Sequence, residues 1–183
     1  MNYYINITLL PNSELPATVL MNLLYAKLHK ALHDLKSTNI GVSFPKYEVT
    51  LGNVLRIHGD RSVINDLQGL NWIGGMHGYC SVSELKPVPD ITMFRTVSRK
   101  QPTMSSAKMR RLLKRGSLRE EEVNAYKVKM FSKGLENPYL ELVSGSNGHK
   151  HRRYIEFGDL LSESVSGEFD QFGLSKVATV PWF

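Results

Sequence analysis

The sequence contains very little cysteine: Cys80 is the only one in 183 residues. A lone cysteine cannot close an internal disulfide, and it cannot supply the thiolates of a cysteine-rich zinc module. No run of about 18 apolar residues is present, so a membrane-spanning helix is not expected. The first residues also lack the basic and apolar regions of a signal peptide. We therefore expect a cytoplasmic protein with no membrane partner.

Motifs for familiar catalytic sites are missing as well. His29 and His33 lie four residues apart in H-K-A-L-H, which lacks the glutamate of the H-E-x-x-H zinc motif. The serines of the loop S-G-S-N-G, Ser144 and Ser146, do not form a G-x-S-x-G elbow or a phosphate-binding loop. No metal site and no other cofactor is expected. From local sequence alone, the two histidines could be ordinary surface residues, and the serine loop could be an ordinary hairpin turn.

Apolar periodicity predicts the order β-α-β-β-α-β over the first 88 residues. Residues 3–9 alternate as a strand, and residues 15–35 repeat leucines at helical spacing beside a polar stripe of Asn22, Tyr25, His29 and His33. Short strands are predicted at 40–44, 54–59 and 79–88, with a short helix capped by Asp60 before the last of them. This order is the ferredoxin-like pattern, so we expect an α+β fold whose N-terminal domain, residues 1–88, is ferredoxin-like.

Two prolines within residues 87–90 predict a linker, which we place at residues 89–97. Residues 98–183 are expected to form a smaller C-terminal α/β RNA-binding domain. It would contain a basic helix that ends at Gly116, a second helix opened by a capping box from Ser117 to Glu120, and strands at 138–143 and 151–157.

Positive charge is concentrated in one segment. The chain carries a net charge of +6, and residues 99–119 contain eight lysines and arginines with no acidic residue. In a helix, Lys108, Arg111 and Arg115 share one face, while Met109, Leu112 and Leu113 take the other side. Solvated helix faces usually mix charges of both signs, so the segment favours contact with nucleic acid. A solvated basic surface is the alternative.

Taken together, these stretches resemble the type I-F (Csy-type) CRISPR RNA-processing endoribonucleases. The resemblance runs along the chain through YYINITLLP, LMNLLYAKLHKAL, IGVSFP, LRIH, FRTVSRKQ, SGSNG, GLSK and VPWF. It implies a metal-independent enzyme that cuts the repeat hairpin of a CRISPR precursor RNA at the 3′ base of the stem. The 2′-hydroxyl would attack and leave a 2′,3′-cyclic phosphate. It also implies that the hairpin stays bound and that the protein joins the other subunits of the type I-F surveillance complex.

The resemblance implies roles for individual residues. His29 matches the catalytic histidine, as proton donor or acceptor, and Ser144 matches the serine that holds the nucleophilic 2′-hydroxyl, with Ser146 two residues on. Arg99 and Gln101 match a pair that reads base edges at the foot of the stem. The arginine-rich helix laid in the major groove of the hairpin corresponds to Lys108, Arg110, Arg111, Lys114 and Arg115.

Four positions depart from the family pattern. Leu112 and Gly116 stand where arginines are expected. His151 stands where an aromatic residue stacks on the terminal base pair, next to Arg152 in a second basic run that would lie beside the RNA. Phe172 replaces a tyrosine associated with the catalytic histidine; it keeps the ring without the hydroxyl, and we expect it among the residues that contact the RNA.

Two alternatives to an active enzyme follow. The missing hydroxyl at Phe172 favours a crRNA-hairpin-binding subunit with weak or no catalysis. The basic helix and the expected fold alone would suit a generic ferredoxin-like RNA binder.

Overall fold

The first strand of the chain, residues 3–9, lies inside the largest sheet, and apolar side chains at every second position give it one buried face. The structure, a computed structural model, describes residues 1–90, 92–101, 104, 106–132, 136–143 and 148–183. The first part of the chain contains β1 (Tyr3–Leu9), α1 (Ala17–Asp34), β2 (Gly41–Ser43), β3 (Val54–Gly59), α2 (Arg61–Gly69), β4 (Cys80–Val82) and β5 (Lys86–Pro87). The second part contains β6 (Met93–Arg95), β7 (Val97–Lys100), α3 (Ser106–Lys114), α4 (Val123–Ser132), β8 (Tyr139–Val143), β9 (Lys150–Phe157) and β10 (Val180–Trp182). The fold is α+β.

The largest sheet has the strand order β2-β3-β1-β4, and all of its pairs are antiparallel. Ile5 and Ile7 of β1 are buried with Leu24 and Leu28 of α1, as the two periodicities require. Each such side chain contributes about 1.5–3 kcal/mol when it is removed from water. This burial fixes α1 on the sheet.

Two smaller sheets complete the described fold. One has the order β7-β9-β8, and the other pairs β6 with β10. Val97, Leu140 and Ile155 of the three-stranded sheet belong to the same buried cluster as Ile5 and Leu24. One apolar core therefore contains residues from both sides of the predicted linker at residues 89–97.

The predicted strand over residues 79–88 is two strands, because β4 and β5 pair with different parts of β1. Between them, Ser83 makes two hydrogen bonds with Asn6. Ser83 Oγ accepts the Asn6 N–H at 2.9 Å, and the Ser83 N–H donates to the Asn6 carbonyl at 2.9 Å. A side chain thus replaces one rung of the ladder and divides the strand.

Both predicted helix caps need correction. Asp60 occupies the N-cap position of α2, but its side chain makes no capping bond, and its carboxylate lies 3.6 Å from the Met1 amine. The box predicted from Ser117 to Glu120 is wrong: Glu122 Oε2 instead accepts the Arg119 N–H at 2.8 Å. Ser117 is used to end α3, since its N–H bonds to the Leu112 carbonyl at 3.0 Å. The helix was predicted to end at Gly116; its last residue is Lys114, and Gly116 follows with φ +69°.

In the part of the chain that the structure describes, no helix is long and apolar enough to cross a membrane.

Candidate active site and RNA interface

The polar stripe of α1 faces the C-terminal half of the chain. Asn22 Oδ1 accepts the Glu141 N–H of β8 at 3.0 Å, and Tyr25 Oη donates to the Phe172 carbonyl at 2.5 Å. His29, one turn on from Tyr25, bonds the neighbouring carbonyl of Gln171 at 2.8 Å. His33 departs from this series, because its side chain is 63% exposed and lies beside Asp34. Three turns of one helix thus hold β8 and the turn at 170–174, and the two histidines are not equivalent.

The turn at residues 170–174 is built by an aspartate and a glycine. Asp170 Oδ1 accepts the N–H groups of Phe172 at 2.9 Å and Leu174 at 3.0 Å. Gly173 has φ +68°, and a Cβ at that position would lie 2.8 Å from Val42 Cγ1. Asp170 suits the turn because its carboxylate bonds nearby backbone N–H groups, and Gly173 suits it because it lacks a Cβ. The turn therefore presents the carbonyls of Gln171 and Phe172 to α1.

The bond from His29 to Gln171 fixes the protonation pattern of the imidazole. A carbonyl oxygen only accepts, so His29 Nδ1 carries the proton that it donates. In the neutral ring, Nε2 is then the basic nitrogen. The side chain is half-buried. Because Nδ1 is engaged by the carbonyl, Nε2 is the atom through which His29 can take or give a proton.

The ring of Phe172 lies between two groups that carry or can acquire positive charge. The His29 and Phe172 ring centroids are 3.5 Å apart with planes tilted by 12°. The Arg153 Cζ atom also lies 3.5 Å from the Phe172 centroid. Two groups at that distance cannot share one face, so they cover opposite faces of the ring. Any contact between Phe172 and RNA is left to the ring edge.

Tyr25 is fully buried beneath this stack, with its ring centroid 6.4 Å from that of Phe172. Burial, and then the charge of Asp170, raise the pKa of its phenol. The hydroxyl therefore keeps its proton and serves as a hydrogen-bond donor to the Phe172 carbonyl.

Two adjoining clefts open beside the stack. One, of about 430 Å³, is lined by Lys36, Phe172 and neighbouring residues, and the other, of about 520 Å³, by Gln101 and Lys176 among others. Arg99 and Arg153 line both clefts, together with Phe169 and Asp170. The structure thus brings Arg99 and Gln101 together, close to the His29 stack. A larger cleft of about 760 Å³ shares Phe169 with these two and is otherwise lined by different residues, such as Tyr3, Asp60 and Ser164.

The basic helix α3 is amphipathic in the predicted sense. Met109, Leu112 and Leu113 are half-buried, while the cations are exposed on the other side: Lys108, Arg110, Arg111, Lys114 and, just beyond the helix, Arg115. This pattern suits an element that packs through one side and offers positive charge on the other.

The second basic run is partly engaged within the protein. His151 is half-buried on β9. Arg152 is exposed, with Cζ 4.5 Å from the Tyr139 centroid and Nε 3.9 Å from Glu141 Oε2. A hydrogen bond to Tyr154, and then the charge of Tyr139, raise the pKa of the Arg152 guanidinium. Its neighbour Arg153 points into the core instead.

Ser144 and Ser146 lie outside the described residues, so their expected contact with the substrate remains a prediction. Among the residues that the structure does describe, no three histidine, cysteine, aspartate or glutamate side chains are grouped as metal ligands.

Sequence reasoning did not assign roles to Tyr25, Asp170, Gln171 or Arg153. Tyr25 had a visible signal, since it lies four residues before His29 in the polar stripe. Arg153 also had one, because it alternates with Ile155 and Phe157 on the inward side of β9. Gln171 acts through its backbone, which no side-chain motif reveals.

Comparisons with known proteins give consistent matches. Residues 4–183 match the family described as CRISPR-associated protein (Cas_Csy4). The chain is 38% identical over 184 residues to the CRISPR-associated endonuclease Cas6/Csy4 of Escherichia coli and 36% identical over 187 residues to that of Pseudomonas aeruginosa, and both matches cover 100% of each chain. A solved structure of the CRISPR endoribonuclease Cse3 bound to 19 nt RNA is 16% identical, with 99% of this chain and 100% of that chain covered and a TM-score of 0.38.

Proposed function

The chain belongs to the Cas_Csy4 family of CRISPR-associated proteins, and from this premise we propose the reaction of the site around His29. The protein is an endoribonuclease of CRISPR RNA processing. Its substrate is the repeat hairpin of a precursor RNA, cut at the 3′ base of the stem. The 2′-hydroxyl attacks the adjacent phosphate, and the bond to the 5′-oxygen of the next nucleotide breaks. The hairpin product ends in a 2′,3′-cyclic phosphate, and the downstream product begins with a 5′-hydroxyl.

The nucleophile in this reaction belongs to the RNA. It is tethered beside the phosphate that it attacks, and tethering supplies a large rate gain once the geometry is in line. The protein must then hold the ribose, move a proton and shield the phosphate charge. We assign the first task to Ser144, with Ser146 beside it, and the last to nearby cations such as Arg99 and to backbone N–H groups.

One observation carries the assignment of proton transfer to His29. Its Nδ1–H is bonded to the Gln171 carbonyl at 2.8 Å, which leaves Nε2 as the nitrogen that exchanges a proton. Nε2 takes the proton of the 2′-hydroxyl or donates one to the departing 5′-oxygen, a step worth about 10²–10⁴-fold in rate. Since the RNA supplies the nucleophile and the protein supplies the proton carrier and the cations, no metal ion is required.

RNA recognition is assigned to three surfaces. Arg99 and Gln101 read base edges, while the cations of α3 contact phosphates in the major groove of the hairpin, which opens near a helix end. His151 stacks on the terminal base pair, with Arg152 beside the backbone. The hairpin stays bound after cleavage, as part of the cytoplasmic type I-F surveillance complex, and no membrane is involved.

The proposal includes a division of the chain into two domains. We assign residues 1–88 to a ferredoxin-like domain, residues 89–97 to a linker that contains the short strand β6, and residues 98–183 to the RNA-binding domain. The order β1-α1-β2-β3-α2-β4 and the antiparallel sheet β2-β3-β1-β4 support the first assignment.

The test is incubation of the protein with its cognate repeat RNA in EDTA. Cleavage with a 2′,3′-cyclic phosphate end is expected, and an RNA with one 2′-deoxy nucleotide at the cut site should bind and stay whole. Cleavage that disappears in EDTA and returns with added metal would refute the mechanism. If the wild type and His29→Ala both bind tightly and neither cuts, the protein is a binding subunit only.

A further inference from the structure

Arg153 occupies a position in the sheet where an apolar side chain is expected. It lies on β9 opposite Leu140 of β8, and it shares the inward side of β9 with Ile155. Leu140 and Ile155 are both 0% exposed, and Arg153 is 7% exposed. The register of β9 therefore carries the Arg153 side chain inward, next to two fully buried apolar side chains.

Burying a guanidinium is costly unless an acid or a full set of acceptors surrounds it. None of the ion pairs between described residues involves Arg153, and its buried Nε has no hydrogen-bond partner within the described part of the chain. Burial, and then the nearby Arg99, lower the pKa of the Arg153 guanidinium. The charge of Asp170, which lines the same clefts, acts in the opposite direction but has a smaller effect than burial. Since no ion pair among the residues that the structure describes joins Asp170 to Arg153, a salt bridge does not account for the cation at this point.

The face of Phe172 is the partner that the structure does provide. The Arg153 Cζ atom lies 3.5 Å from its centroid, and such cation–π contacts are strongest where water is excluded. On the opposite face, His29 lies at 3.5 Å with a tilt of 12°. Because a ring held on one face can tilt less, the plane offered to His29 on the other face is fixed as well.

We propose that Arg153 is a positioning residue of the ribonuclease site: its guanidinium holds the Phe172 ring, and the ring in turn fixes the imidazole of His29 for proton transfer. The proposal rests on the proposed function of His29. Arg153 also lines both clefts beside Arg99, so direct binding of an RNA phosphate is the competing role. The geometry favours positioning, because the guanidinium is almost fully buried and covered by the ring.

The first test separates cleavage from binding. Single-turnover cleavage at saturating repeat RNA is measured for Arg153→Met and Arg153→Lys, and Kd is measured on the uncleavable 2′-deoxy RNA. The matched control is Arg61→Met, since Arg61 makes a similar contact with the Tyr3 ring at 4.7 Å, outside the site.

Arg153→Met should lower the cleavage rate by about 3- to 10-fold, the size of one lost ring contact, and leave Kd within about twofold. Arg153→Lys should recover at least half of the lost rate, and Arg61→Met should match the wild type. A raised Kd with the rate preserved at saturation would assign Arg153 to phosphate binding and overturn the proposal. Equal losses in the Met and Lys variants would assign the effect to packing shape and overturn it too.

A second readout needs neither RNA nor cleavage. The His29 imidazole stacks on the Phe172 ring at a centroid distance of 3.5 Å, so the NMR resonance of its Cε1 proton should be upfield of that of His33 in the wild type. Arg153→Met should move it toward the His33 position, while Arg61→Met should not. An unchanged His29 resonance in Arg153→Met overturns the positioning role. If the wild type shifts as expected but never cuts RNA, only the proposed function fails.

Discussion

Replacing Phe172 with leucine should slow cleavage only through His29. The substitution removes the ring that stacks on the imidazole at 3.5 Å and leaves the backbone carbonyls at 171 and 172, which α1 holds, in place. His29 would keep its Nδ1 bond and lose the restraint on the plane of its ring.

The size of the effect follows from the stack. An aromatic pair contributes about 0.5–1.5 kcal/mol beyond area burial, which corresponds to roughly 2- to 13-fold in the population of the aligned imidazole. Phe172→Leu should therefore reduce the single-turnover rate by about that factor. His29→Ala removes the proton carrier altogether, and the rate should fall by about 10²–10⁴-fold.

The assay is a double-mutant cycle in saturating repeat RNA, with Kd measured on the 2′-deoxy RNA. Because Phe172 acts through His29, the double variant should cleave no more slowly than His29→Ala alone. Tyr3→Leu is the control, since that ring also contacts a guanidinium but lines a different cleft.

Two outcomes would refute the reasoning. If Phe172→Leu slows cleavage equally in the wild type and in His29→Ala, the ring acts on the substrate and not on the histidine. If Kd rises by the factor that the rate loses, Phe172 serves RNA binding.

Further predictions concern other parts of the molecule. Arg115→Gln should make the slope of log Kd against log salt shallower by about 0.7–0.9, because one phosphate contact is lost; an unchanged slope would place Arg115 away from the RNA. Gly173→Ala should lower the free energy of unfolding by more than about 1 kcal/mol and slow cleavage, because φ is +68° and a Cβ would meet Val42; urea unfolding and the single-turnover rate check both. Burial, and then the charge of Arg56, hold the pKa of His58 well below its ordinary value. The contribution of neutral His58 to the free energy of unfolding is therefore fully present above about pH 6.5. It falls as the pH drops below that value, by up to about 1.4 kcal/mol per pH unit. Urea unfolding at pH 7.5 and 5.5 should show a smaller fall in His58→Gln than in the wild type.

Elements with clear periodicity were predicted well. The alternation of residues 3–9 and the leucine spacing of residues 15–35 correspond to β1 and α1, because one buried face is enough to reveal each period. The end of α3 was predicted within two residues, because Gly116, which follows it with a positive φ, is a local signal in the sequence. Boundaries set by a distant partner were not predicted, and the strand divided at Ser83 is the example.

The site was predictable only in part. The family resemblance pointed to His29, and the polar stripe placed Tyr25 on the same side of α1. The bond to the Gln171 carbonyl joins residues 142 positions apart and uses a backbone atom, so no local pattern contains it. Arg153 stood inside a basic run that was expected to lie beside the RNA, and only the register of β9 turns its side chain inward.

The separation of 142 residues between His29 and Gln171 has a consequence for the timing of activity. During synthesis at about 5–20 residues per second, the partner carbonyl leaves the ribosome roughly 7 to 30 seconds after the histidine. Contacts between residues so far apart in sequence also form slowly. If the basic helix binds the hairpin as proposed, the nascent chain can present that helix to RNA before the bond that orients the His29 imidazole has formed, so binding would precede cleavage.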